Sequence, residues 1–190
     1  MRRYLPILLL LGALPAHAQN ATPREAYRVE EHGGGLGVFV DQAVAFTSVA
    51  GRRWVAERSR HDRNWCGDHS GGTCKPIDAR THAWIDSASC PQLVAALRDL
   101  SAVTPPRLAG PDVTDFWISA DTTMLTITGH PVSSAPMSGA GGEESLTIRQ
   151  VGGAYRTWWT NTEKALQGCW SSNVPVIEGK PLVAALAEQP

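Results

Sequence analysis

HAWIDSASCPQLVAALRDL, residues 82–100, is the stretch whose reading decides the fold. Its opening residues predict a short strand over 82–86, carried by Trp84 and Ile85. Ser89 stands three residues before Gln92, the spacing of a capping box. Pro91 falls in the first turn, where its missing N–H costs nothing. Leu93, Leu97 and Leu100 then recur at helical spacing, so a helix over 91–100 presents one apolar face and must lay it on a sheet.

Upstream of this stretch the chain reads as half-buried strands. Tyr27 and Val29 alternate with Arg28 and Glu30 until Gly33-Gly34-Gly35, which permits a tight reversal. Further strands are predicted over 38–46 and 53–60, with loop chemistry following over 60–81. Downstream, one hairpin is predicted with arms 116–119 and 124–128, turning at Ala120-Asp121. A loop of small residues follows over 129–142. A second hairpin is predicted with arms 145–150 and 154–159 around Gly152-Gly153. Thr160 and Glu163 repeat the capping-box spacing ahead of a short helix that Gly168 would close, and 181–187 predicts a last one. The order of strands, helix, strands and helices gives an α+β fold. It should be mainly an antiparallel sheet of short hairpins with two or three short helices packed on it.

The start of the chain predicts location. Arg2 and Arg3, an apolar run from Leu5 to Leu14 and the small-x-small site Ala16-His17-Ala18 read as a secretory signal over 1–18. A loose leader over 19–25 and one globular domain over 26–190 follow. The expected location is periplasmic or secreted, with no transmembrane segment once the signal is removed. The remainder carries 15 basic and 18 acidic residues, a mild formal charge of -3. That balance excludes a nucleic-acid binder, which needs a basic stripe.

An oxidising compartment favours paired cysteines, and Cys66, Cys74, Cys90 and Cys169 are an even number. Cys66 and Cys74 bracket a Gly-rich loop, leaving Cys90 before one helix to meet Cys169 after another. In the loop-entropy model the short bridge contributes about 2.5 kcal/mol and the long one about 4.5 kcal/mol. The competing reading takes His61, Cys66, His69 and Cys74 as a zinc ligand set, with His82 near. The compartment favours disulfides over it, and no cofactor is expected.

Catalytic markers are few. Gly67-Asp68-His69-Ser70-Gly71-Gly72 lacks the uninterrupted surround of a trypsin-like serine, and neither Ser70 nor Ser138 sits in a Gly-x-Ser-x-Gly elbow. Asp112, Asp115 and Asp121, with Glu143 and Glu144, could supply paired carboxylates for an envelope hydrolase, although such residues at hairpin ends serve as turn formers.

Seven tryptophans stand out: Trp54, Trp65, Trp84, Trp117, Trp158, Trp159 and Trp170. Neighbours on a strand face opposite ways, so one of Trp158 and Trp159 should point outward. With Arg156 on the face of Trp158, this hairpin is the expected contact surface. The expectation is therefore a non-enzymatic protein that binds a partner protein or an envelope glycan. The rival is an envelope hydrolase or a zinc-binding protein.

Overall fold

Three long strands precede any helix: β1 (Arg24–Gly35), β2 (Val38–Val49) and β3 (Arg53–Asn64). The computed structural model describes residues 23–35, 38–49, 53–65, 75–105, 123–129, 145–177 and 179–182. Two more strands of the sheet follow on either side of α1 (Gln92–Ala102): β4 (Ile77–Asp86) before it and β5 (Met124–Gly129) after it. Next come β6 (Leu146–Gln150), α2 (Ala154–Leu166) and a two-residue pair, β7 (Val176–Ile177) with β8 (Lys180–Pro181). Six strands form one antiparallel sheet in the order β4-β3-β2-β1-β5-β6. The α+β architecture of mostly antiparallel sheet is as the sequence predicted, although β1, β2 and β3, at 12 residues each, are longer than the short hairpins expected.

Register fixes which side chains share a face. Val29 lies opposite both Val44 and Ile127, Phe46 opposite Ala56, and Ala56 opposite Ile85. These residues form the helix-facing side of the core, and Leu93, Leu97 and Leu100 of α1 cover them. From α2 come Tyr155, Trp158, Trp159 and Leu166. Trp158 Nε1 donates to the Ala96 carbonyl at 2.9 Å, which ties the two helices together within the core. A smaller cluster of Val49, Val55, Trp84, Ile177 and Leu182 packs the returning C-terminal segment on the opposite face. Ser171 exchanges two backbone hydrogen bonds with Trp84, at 2.8 and 2.9 Å, and so pairs part of the edge of β4.

The entry to α1 is organised by Asp86 rather than by a capping box. No side chain caps the helix; instead the Asp86 carbonyl accepts from the amides of Ser89 and Cys90 and from Ser89 Oγ. The Asp86 carboxylate is paired with Arg53 and holds the Ala88 amide, and the arginine depresses its pKa below the usual carboxylate range. Cys90 and Cys169 are bridged as expected, with Cα atoms 6.0 Å apart. Cys66 and Cys74 lie outside the described residues, as does His69 and with it most of the zinc set.

Several expected boundaries are corrected. Gly33, Gly34 and Gly35 do not end the first strand but pair with Val40, Phe39 and Val38, because glycine tolerates the extended positive-φ geometry that Gly33 and Gly34 adopt. The polar stretch after Arg60 continues β3 to Asn64, with His61 and Arg63 engaged by the cross-strand carboxylates of Asp78 and Asp41 and Asp62 paired along the strand with Arg60. The largest correction concerns residues 154–159, which are helix and not a hairpin arm. Gly153, at φ +90°, turns the chain out of β6, and its carbonyl accepts from the Thr157 amide and Oγ1 to start α2. Thr160 and Glu163 therefore lie inside a helix that has already begun. β5 pairs with β1 and β6, whereas the other predicted arm, 116–119, lies outside the described residues, as do 130–142 and 183–187; Pro181 belongs to β8.

Candidate functional site

The helix-facing side of the sheet changes character along the strands. In β2 Val44 and Phe46 share a face with Gln42, and in β3 Ala56 shares one with Arg58, Arg60 and Asp62. The apolar half lies in the core. The polar half faces the C-terminal turn of α2 and the residues just after it, and there a cavity of about 390 Å³ opens between Gln42, Arg58, Arg60, Trp159, Glu163 and Trp170.

A chain of polar contacts lines this cleft. Arg60 Nε donates to both carboxylate oxygens of Asp62 at 2.9 and 3.0 Å, and Arg60 Nη1 donates to Gln42 Oε1 at 3.3 Å. Gln42 Nε2 then donates to Glu163 Oε1 at 2.8 Å. Gln42 is only 2% exposed, so its amide is oriented at both ends by protein partners. Glu31 stands opposite Gln42 across the β1–β2 pair, 2.6 Å from Arg156 Nη1, and accepts a 3.3 Å hydrogen bond from Trp159 Nε1. Burial, reinforced by the neighbouring Glu31 charge, pushes the Glu163 carboxyl above the usual carboxylate range despite the Gln42 amide.

Arg58 is held differently. Its guanidinium lies over the Trp170 ring, 4.2 Å from the centroid, and its Nε is buried with no hydrogen-bond acceptor among the described residues. Burial first, and the like charge of Arg60 second, lower its pKa from the ordinary arginine value.

The residues expected to form the contact surface are partly relocated here. Trp158 and Trp159, at 5% and 1% exposed, are both buried, because a helix puts neighbouring positions about 100° apart rather than on opposite faces. The expected outward-pointing tryptophan is thereby corrected. Trp158 packs between the helices; Trp159 backs the cleft, edge-on to Phe46, and Arg156 reaches the cleft only through Glu31. Of the cleft residues, Gln42, Arg58 and Arg60 were not expected as site residues from sequence, and Glu163 was read only as a capping residue. The signal was available, since a polar side chain in phase with Val44 or Ala56 interrupts an otherwise apolar strand face.

A second cavity, of about 310 Å³, lies further out along β3 between Arg60, Asp62, Asn64, Phe39, Ile77 and Ala79. Beside it Trp65, 58% exposed, packs on Phe39 at 5.5 Å with Arg63 near both rings. On the sheet face that Arg63 shares, His61 Nε2 lies 2.5 Å from Asp78 and His82 Nε2 lies 2.7 Å from Glu57, so each of these histidines is engaged by a carboxylate. Among the described residues no group of three or more His, Cys, Asp or Glu side chains is placed to hold a metal ion. Asp112, Asp115, Asp121, Glu143 and Glu144 lie outside the described residues, as do Ser70, Ser138 and Trp117. Among the described residues no helix is long and apolar enough to cross a membrane.

No model of a known protein family, no curated protein and no solved structure matches this chain. The functional reading therefore rests on the residues and their geometry.

Proposed function

We propose that this is a non-enzymatic binding protein of an oxidising compartment, periplasmic or secreted, whose cleft between α2 and the sheet takes a segment of an envelope glycan. One observation carries the reading: Arg58, braced on Trp170, lines a cavity of about 390 Å³ with a buried Nε that no acceptor among the described residues meets. A saccharide suits such walls, because its hydroxyls can pair with Gln42 and Glu163 while its C–H faces lie against aromatic rings. The Cys90–Cys169 bridge supports the compartment.

Titrating the full chain with soluble fragments of envelope polysaccharides, followed by tryptophan fluorescence and calorimetry, tests the proposal. Saturable binding is expected, weakened by Trp170→Ala and unaffected by Arg98→Gln on the exposed face of α1. If no fragment binds, the reading fails. The raised Glu163 carboxyl, connected to Asp62 across the cleft through Gln42 and Arg60, favours the hydrolase as second reading, since a carboxyl that stays protonated can serve as an acid. Chromatography of the titrated fragments separates the two: shortened products abolished by Glu163→Gln would establish turnover, and intact fragments would leave binding.

A further inference from the structure

The charges of the cleft do not balance, and the imbalance describes the ligand. Arg28 of β1 and Arg53, Arg60 and Arg63 of β3 each meet a carboxylate: Glu25, Asp86, Asp62 and Asp41 respectively. Arg58 lies among them and has no such contact among the described residues. A guanidinium offers five donors and no acceptor, so its burial disfavours the charged state unless an anion arrives. Its flat face is already fixed on Trp170, which leaves an edge preorganised for a planar, two-oxygen acceptor. Lys164, exposed on the last turn of α2, adds a second cation at the rim of the same cavity.

The cleft also has a direction. Residues 58, 60, 62 and 64 alternate onto one face of β3, a row of roughly 20 Å at the usual rise per strand residue. The inner cavity and the outer one both include Arg60 in their walls and so adjoin along this row. At the outer end Ile77 and Ala79, opposite Asn64 and Asp62, supply apolar surface suited to the face of a sugar ring.

We infer that the ligand is a linear acidic glycan of the uronic-acid type, with one carboxylate at Arg58 and its chain running outward along β3 past Arg60 into the second cavity. This rests on the glycan reading above and specifies its chemistry. A carboxylate fits better than a phosphate dianion because Asp62 already neutralises Arg60 and the Glu163 carboxyl borders the same space.

Calorimetric titration of the full chain with a short and a long oligogalacturonate, their carboxyl-reduced neutral counterparts and inorganic phosphate decides it. The acidic oligomers are expected to bind about tenfold more tightly than the neutral ones, the factor for one charge-assisted hydrogen bond. Arg58→Gln should remove that preference and Arg58→Lys restore part of it. Lys164→Gln, at an exposed position that leaves the packing intact, should weaken the acidic ligands alone. Ala79→Trp, which fills the outer cavity, should reduce the affinity of the long oligomer to that of the short one. Equal binding of acidic and neutral oligomers would overturn the acidic ligand and leave the glycan reading standing. Binding of phosphate as tight as that of the uronates would overturn the carboxylate. Binding of neither oligomer class would remove the glycan reading itself.

Discussion

Glu163 shows how much one residue's setting can depart from what its type suggests. On an exposed helix face it would be a solvated charge; here it lies between Gln42 and Glu31, and burial lifts its pKa. A carboxyl whose folded pKa exceeds its unfolded value binds protons more tightly in the folded state. Its contribution is fully present below the ordinary carboxylate range, near pH ~4, and is lost as pH rises through the raised folded value. Glu163→Gln keeps an acceptor for Gln42 and removes the charge. The variant should therefore be more stable than the parent at pH 7, by under about 1 kcal/mol because the group is partly exposed, with the gain vanishing near pH 4. Urea unfolding of both proteins at the two pH values measures this; a pH-independent difference would show that the carboxyl is not desolvated enough to matter.

At the scale of elements, α1 was legible and α2 was not, and the difference is physical. Leu93, Leu97 and Leu100 allow only a helical period, and the observed helix buries those three leucines. In residues 154–159 the order Ala-Tyr-Arg-Thr-Trp-Trp also fits strand alternation, and tyrosine, threonine and tryptophan favour strands locally. Only the longer run of Tyr155, Trp158, Trp159, Thr162 and Leu166 exposes the 3.6-residue period, and tertiary packing on α1 and the sheet then overrides local preference. The same error hid the cleft, because a strand reading sent one tryptophan to solvent and left Glu163 with no sheet beneath it. The α1–α2 contact can be tested through the hydrogen bond from Trp158 to the Ala96 carbonyl. Trp158→Phe should cost about 1 kcal/mol for the lost hydrogen bond, and Trp158→Ala about 3–5 kcal/mol through the cavity it leaves. Comparable losses in the two variants would mean that the hydrogen bond, and not packing, holds the helices together.

Across the whole molecule, the Cys90–Cys169 bridge joins the start of α1 to the end of α2, and residue 169 immediately precedes the tryptophan on which Arg58 rests. Global stability and the shape of the cleft are therefore linked through one covalent bond. With a sequence separation of 79 between the two cysteines, its loss should lower stability by about 2–5 kcal/mol, chiefly by enlarging the unfolded ensemble. The paired substitution Cys90→Ala with Cys169→Ala isolates this bridge from Cys66 and Cys74, as a reductant would not. Its unfolding midpoint in urea should fall while the slope stays near that of the parent. The cleft should suffer beyond the loss of global stability, because Trp170 is freed from the end of α2 and Arg58 loses the surface that fixes its plane. Under conditions where the double variant remains folded by circular dichroism, affinity for the acidic oligomer should drop together with the salt dependence of binding. An unchanged affinity would show that Trp170 is positioned by its own packing and by the Ser171 bridge to Trp84 rather than by the disulfide.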